Sequence, residues 1–325
     1  RSIAHHISMF LMLYSLIILS TVYCAALASR NAQIDVTAQL FPVPQSIAVS
    51  DPTATRSLST SFQLKTTSTN DVVVDALTRY QKLIQTSSQP ASSSTIDTLI
   101  VTVKDDTPTM PTLDLDVSYT LHIDTDKNQA TVTAHTPFGA LYGIETFSQM
   151  VNQEGVVLGN GIVIQDAPSF RHRGLTIDVG RRIAPVDLVN SIIDGLGYTK
   201  MNVLHMSLSG PAVRVEMLET FPELTAWLEP EQYYTKIQIQ QFVERARLRG
   251  VIIVPEIDIP AHASGFFPLT ETVALQFCDA DRTVRCCCCS CCCFCYCCYL
   301  IDGAATAVAV AVAVVALCFL FCVSF

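Results

Sequence analysis

Cysteine is missing from the whole stretch between Ala25 and Phe277, so the part of the chain that reads as globular needs no disulfide. Its redox compartment is therefore not readable from cysteine. Basic charge is also short, with 20 Lys and Arg against 29 Asp and Glu. So acidic a chain offers no basic patch to track a phosphate backbone, which argues against a nucleic-acid partner. No Asn-x-Ser/Thr acceptor occurs, so glycosylation lends no support to a secretory route.

What is abundant is concentrated at the two ends. Phe10–Val22 is a continuous apolar run, and Ala26-Leu27-Ala28 after it suits a signal-peptidase site. The run is shorter than the roughly 20 apolar residues of a membrane span. Residues 1–28 are therefore expected to be a signal peptide rather than an anchor, which directs the chain to the secretory pathway: extracellular, lysosomal or membrane-associated. At the other end, Cys286–Cys298 is almost pure cysteine, and Ala304–Phe325 is apolar and long enough to span a bilayer. Zinc sites use spaced ligand pairs, and this run has no such spacing, so no metal site and no cofactor are expected. The apolar tail fits a membrane helix, with possible membrane contact, or a lipid-anchor signal. A third reading covers both stretches. A TGCTGT repeat read in one frame gives cysteine and in another gives Ala-Val, the alternation of Ala307–Val314. On that reading, residues beyond about 268–285 are frameshifted or intronic.

Between the ends, two patterns follow one another. In residues 35–165 the folded chain begins at Gln39–Pro44; Ser57–Asn70 is rich in Ser and Thr, and Ser87–Thr95 is a polar, loop-like stretch. Val72–Thr86 places Val73, Ala76, Leu77, Tyr80 and Ile84 on one helical stripe. Strands are predicted over Thr98–Val103, Ser118–Asp124 and Gln129–Ala134. Phe138, Leu141, Ile144 and Phe147 recur at helical spacing behind Pro137, which suits a first helical turn. The order implies a small α+β domain with helices on one face of an antiparallel sheet. Glu145 and His135 read as surface polar groups.

Residues 168–270 change the pattern to alternating strands and helices. Leu175–Val179, Met201–Leu208 and Val251–Ile257 are predicted strands. Pro185–Leu196 is a helix by the spacing of Val189, Ile192, Ile193 and Leu196. Thr235 and Gln238 have capping-box spacing ahead of Ile239, Phe242, Val243 and Ala246. Repeated βα units imply a parallel sheet, whose chemistry sits past the C-terminal strand ends. The candidates there are Asp178, Arg181 and Arg182, then His205 and Ser207, then Glu256, Asp258 and His262.

The blocks R-H-R-G-L-T-I-D-V-G-R (171–181), Y-T-K-M-N-V-L-H (198–205), F-P-E-L-T (221–225) and A-R-L-R-G-V-I-I-V-P-E-I-D-I-P-A-H (246–262) occur in order, after G-A-L-Y-G-I-E-T-F-S-Q-M (139–150). Over about residues 39–267 this set resembles the β-N-acetylhexosaminidases of glycoside hydrolase family 20. The resemblance implies an α/β fold: a partial (β/α)8 barrel of TIM type preceded by a small α+β domain. It implies glycans ending in N-acetylglucosamine or N-acetylgalactosamine as substrate, cleaved by substrate-assisted retention, in which the sugar's acetamido oxygen attacks the anomeric carbon. An Asp-Glu pair serves that step, the Asp orienting the acetamido group and the Glu protonating the leaving oxygen. By position, Arg173 matches a sugar-binding arginine and His262 a histidine near the general acid. Asp178, Glu256 and Asp258 match supporting acidic positions.

Two departures stand against it. No Asp-Glu dipeptide occurs in the sequence, so no catalytic residue is assigned. Where the family has His-Trp-His-Leu and then acidic residues, this chain reads His205-Met206-Ser207-Leu208-Ser209-Gly210-Pro211. The family's Pro-Gly-His is Pro260-Ala261-His262. Two functions are therefore open: a β-N-acetylhexosaminidase represented by an incomplete sequence, or a catalytically inactive relative that binds glycans or a partner protein.

Overall fold

A computed structural model of the chain describes residues 40–84, 94–216, 221–258, 262 and 264–266. The expected signal peptide, the cysteine run and the apolar tail lie outside the described residues. Five strands form the first sheet: β1 (Ser46–Thr66), β2 (Thr95–Val103), β3 (Tyr119–Ile123), β4 (Gln129–Ala134) and β5 (Val156–Asp166). Their order is β1-β2-β4-β3-β5, and the sheet closes because β1 also pairs with β5. The expected antiparallel layer is thus a small barrel of mixed pairing, in which β2 runs parallel to both β1 and β4. The Ser- and Thr-rich stretch from Ser57 is mostly strand, since β1 runs on to Thr66. Serine and threonine occupy many of its exposed positions, while Leu58 and Phe62 turn inward. Arg56, also on β1, is buried and donates to the carbonyls of Asp124, Thr95 and Lys127.

Two helices pack on this barrel. Helix α1 (Asp71–Leu83) starts at Asn70, whose side chain accepts from the Val72 amide, and buries Val72, Val73, Ala76 and Tyr80. Helix α2 (Pro137–Met150) is capped by Thr136, with Pro137 in its first turn as its sequence predicts. Phe138, Leu141, Ile144 and Phe147 are all buried, and Phe147 stacks on Phe62 with centroids 5.9 Å apart. Each such side chain contributes about 1.5–3 kcal/mol of burial. Gly143 lets the helix lie on β4, since a Cβ there would come within 2.5 Å of Val132 Cγ1. Glu145 corrects the surface reading. It is 4% exposed, accepts from the Tyr80 hydroxyl, and receives 2.7 Å from Gln149 Nε2. His135 is exposed.

The second sheet is parallel, in the order β6 (Gly174–Asp178), β7 (Val203–Ser207), β8 (Ile252–Glu256). Helix α3 (Val186–Tyr198) joins β6 to β7, and α4 (Lys236–Arg247) precedes β8. Thr235 and Gln238 close the capping box that their spacing predicts. Val189, Ile193 and Leu196 of α3 and Phe242 and Ala246 of α4 meet Leu204 and Met206 of β7 in one core. Tyr234 packs edge-on against Phe242 at 5.2 Å. Strand, helix and parallel strand in sequence are the start of a (β/α)8 barrel, as expected. Ion pairs tie the two sheets' helices together: Arg247 with Asp71 on α1, and Arg249 with Asp75 of α1 and Asp194 of α3.

Candidate functional site

The parallel register brings three polar positions level at the C-terminal ends of the strands: Asp178, Ser207 and Glu256. One residue pair back, Thr176, His205 and Val254 are level too. Helix packing occupies the face with Leu204 and Met206, so His205 and Glu256 share the opposite face. There His205 Nε2 donates to Glu256 Oε2 at 2.7 Å, and Thr176 Oγ1 lies 3.4 Å from His205 Nδ1. The carboxylate contact favours a proton on Nε2.

Beyond the strand ends the loops are held by backbone. Asp178 Oδ1 accepts from the Arg181 amide, and its Oδ2 pairs with Arg181 Nη1 at 3.0 Å. The Val179 and Gly180 amides donate to the Ser207 carbonyl. Gly180 has no room for a side chain, since a Cβ would lie 1.9 Å from the Ser209 carbonyl oxygen. Ser209 Oγ accepts from the Asp258 amide at 2.7 Å. Gly210, at φ 156°, accepts from the Gly265 amide and the Ser264 hydroxyl. The substituted stretch Ser207–Pro211 is therefore an organised part of the rim.

Burial pushes the Asp258 carboxyl above the ordinary carboxylate range, and the nearby Glu256 and Asp178 carboxylates push the same way; His262 and His205 oppose them. Asp178, Glu256 and His262, the other three expected supporting residues, thus lie within electrostatic reach of Asp258. His262 is exposed and sits at φ 53°, a left-handed conformation that costs a non-glycine residue about 1–3 kcal/mol.

Arg173 is not among them. It precedes β6, at the end opposite the rim, and its guanidinium is already occupied. Nε donates to the Lys200 carbonyl at 2.8 Å, Nη1 to the Phe170 carbonyl at 2.6 Å, and Nη2 to the Tyr142 hydroxyl at 2.7 Å. The Tyr142 ring lies 5.6 Å from its central carbon. The expectation that Arg173 binds sugar is corrected on both counts. Arg181 lies at the rim, with a side chain 66% exposed and, among the described residues, Asp178 as its charged partner. Ser209, Thr176 and Gly180 line the rim without having been expected there; Thr176 and Gly180 lie inside the block 171–181, and Ser209 inside the substituted stretch 205–211.

Carboxylates that accept, beside an arginine and histidines that donate, form a set suited to sugar hydroxyls, which need both. Among the described residues no group of three or more His, Cys, Asp or Glu is placed to hold a metal ion. None of their helices is long and apolar enough to cross a membrane.

Residues 170–298 match the model of the glycosyl hydrolase family 20 catalytic domain, and residues 40–150 match a second model described as beta-acetyl hexosaminidase like. The catalytic-domain match runs past Phe267 into the cysteine run, further than the ordered blocks extend. The subunit beta of human beta-hexosaminidase is 35% identical over 166 residues, covering 50% of this chain and 30% of that protein. Subunit B2 from Dictyostelium discoideum is 29% identical over 246 residues, covering 72% of this chain and 43% of that protein. A crystal structure of a Flavobacterium johnsoniae chitobiase superposes with TM-score 0.61 at 28% identity, covering 72% of this chain and 37% of the chitobiase. The chain spans about a third of the length of the curated relatives it matches.

Proposed function

From its matches to the glycosyl hydrolase family 20 catalytic domain and to the beta-acetyl hexosaminidase like model, we propose that the chain is a member of that family and the sugar-binding front part of a β-N-acetylhexosaminidase. Its units are the small domain, residues 35–165, and the opening βα repeats of the catalytic barrel, residues 168–270. The substrate class is a glycan ending in N-acetylglucosamine or N-acetylgalactosamine. The observation that carries the reading is the level set of polar groups at the strand ends: Asp178 with Arg181, and His205 with Glu256, around the raised carboxyl of Asp258. A barrel of this kind does its chemistry at that end.

Arg181 takes the sugar-binding role, since its guanidinium is exposed at the rim with Nη1 paired to Asp178, and a planar fork can reach two oxygens. Asp258 and Glu256 accept from hydroxyls, and His262 borders the position where the acid would act. Substrate-assisted retention requires an Asp-Glu pair, and the sequence has no such dipeptide. We therefore assign sugar binding, and no turnover, to the residues described. We propose the secretory pathway as its route, supported by the apolar run Phe10–Val22. Contact with a membrane rests on the sequence of Ala304–Phe325 alone.

The test combines two measurements on the full chain. Binding of N-acetylglucosamine, followed by NMR titration, is expected with no release of chromophore from a nitrophenyl N-acetylglucosaminide. Turnover would overturn the assignment of inactivity, and the absence of any sugar binding would overturn the site. A second reading, an inactive relative that binds glycans or a partner protein, is favoured by one observation. Gly210 and Pro211 stand where the resemblance places acidic residues, and Gly210 is built into the rim by its contacts with Ser264 and Gly265. An in-frame Asp-Glu pair in the mature transcript would exclude it.

A further inference from the structure

Lys200 lies in the turn between α3 and β7, is 5% exposed, and adopts φ 56°. Each of these is unfavourable for a lysine. The left-handed backbone suits glycine or asparagine, and burying an ammonium removes its hydration. The compensation comes entirely from the N-terminal barrel and its helix. Nζ donates to Thr146 Oγ1 of α2 at 2.7 Å and to the Tyr119 hydroxyl of β3 at 2.9 Å. It pairs with Asp166 Oδ2 at the end of β5 at 3.3 Å. Tyr119 in turn donates to the same Asp166 oxygen at 2.9 Å.

The same turn is held from its other side. The Lys200 carbonyl accepts from Arg173 Nε, the Asn202 side chain accepts from the Arg173 amide, and Asn202 Nδ2 donates to the Arg171 carbonyl. The foot of β7 is thus fixed to β5, α2 and the entry to β6 together. Strand β7 carries His205, whose height decides whether Nε2 meets Glu256 on β8 and Nδ1 meets Thr176 on β6.

We propose that Lys200 is a positioning residue: it pins β7 to the N-terminal barrel and so sets the placement of His205 in the rim. The small barrel is then a jig for the site as well as a neighbour of it. This does not depend on the hydrolase reading.

The test uses the full chain carrying Lys200→Met, Asp166→Asn or Arg247→Ala. The last removes a different contact between the same units, the ion pair with Asp71. Two signals are read: the ring nitrogen shifts of His205 by long-range 1H–15N correlation at fixed pH, and the urea midpoint from Trp227, the one tryptophan of the chain. Lys200→Met is expected to move the His205 ring signals and lower the midpoint. Asp166→Asn moves them in the same direction by less. Arg247→Ala lowers the midpoint and leaves His205 where it was. His205 signals unchanged in a folded Lys200→Met protein, or moved equally by Arg247→Ala, would overturn the proposal. If Lys200→Met does not fold, Asp166→Asn decides it by the same criterion.

Discussion

Replacing Arg173 by lysine separates two roles that its sequence context runs together. Lysine keeps the charge and gives up the planar fork. The guanidinium makes three contacts of 2.6–2.8 Å, to the carbonyls of Phe170 and Lys200 and to the Tyr142 hydroxyl, and faces the Tyr142 ring. One ammonium at that place keeps about one of them. A hydrogen bond to a charged group contributes about 1.5–3 kcal/mol, and the partial exposure of this site argues for the lower end of that range. Losing two gives about 3 kcal/mol, equivalent to a fall in Tm of roughly 6–12 °C for a unit of this size. Thermal unfolding followed by circular dichroism measures the fall. NMR titration with N-acetylglucosamine, below the new Tm, measures binding, which is expected to be unchanged. Arg181→Ala is expected to do the reverse, weakening binding with Tm altered by about 1 °C or less, because a solvent-exposed ion pair contributes little. The reasoning is refuted if Arg173→Lys leaves Tm unaltered and abolishes sugar binding.

Gly180→Ala places a methyl group against the Ser209 carbonyl oxygen, 1.9 Å from it before relaxation. Forcing those loops apart is expected to cost about 2–3 kcal/mol in urea unfolding and to weaken sugar binding; full stability in the variant would show that the two loops do not touch. Glu145 has its carboxyl pushed up by burial, while the bonds from Tyr80 and Gln149 pull it down. Its folded pKa therefore exceeds the unfolded one, so ionisation opposes folding progressively as pH rises above the unfolded value, and stability from this group is greatest below it. Glu145→Gln is expected to gain stability relative to the parent as pH rises through that window, which paired denaturation curves at pH 4 and pH 7 would read; a difference independent of pH contradicts the assignment.

The parts of the fold that were legible in the sequence are those whose signals are local. Thr136, Pro137 and the spacing of Phe138, Leu141, Ile144 and Phe147 define α2 within one stretch of chain, as Thr235 and Gln238 define the start of α4. The strand-end carboxylates Asp178, Glu256 and Asp258 were legible because each follows a readable strand. What was missed depends on partners distant along the chain. Strand β1 is rich in serine and threonine, and its pairing with β2 and β5 is what makes it a strand. Glu145 looks like a surface residue until Tyr80, 65 positions away, supplies its hydrogen bond. Arg173 was misplaced because a motif gives order without saying which end of a strand a residue occupies. Closing the first sheet was not predictable from strand order, since it depends on β1 pairing with β5 about a hundred residues further on.

The closure of that sheet imposes a timetable on synthesis. Ser46 pairs with Gln165 and Ser57 with Val156, so the first long strand waits for one emerging about a hundred residues later. Until Asp166 has left the ribosome, β1 offers an unsatisfied edge to any neighbouring chain. Lys200 follows only after that edge is sealed. The nascent chain therefore completes its first barrel before the residue that docks the second sheet onto it appears, and a pause in translation between the two would be tolerated where a pause before Val156 would not.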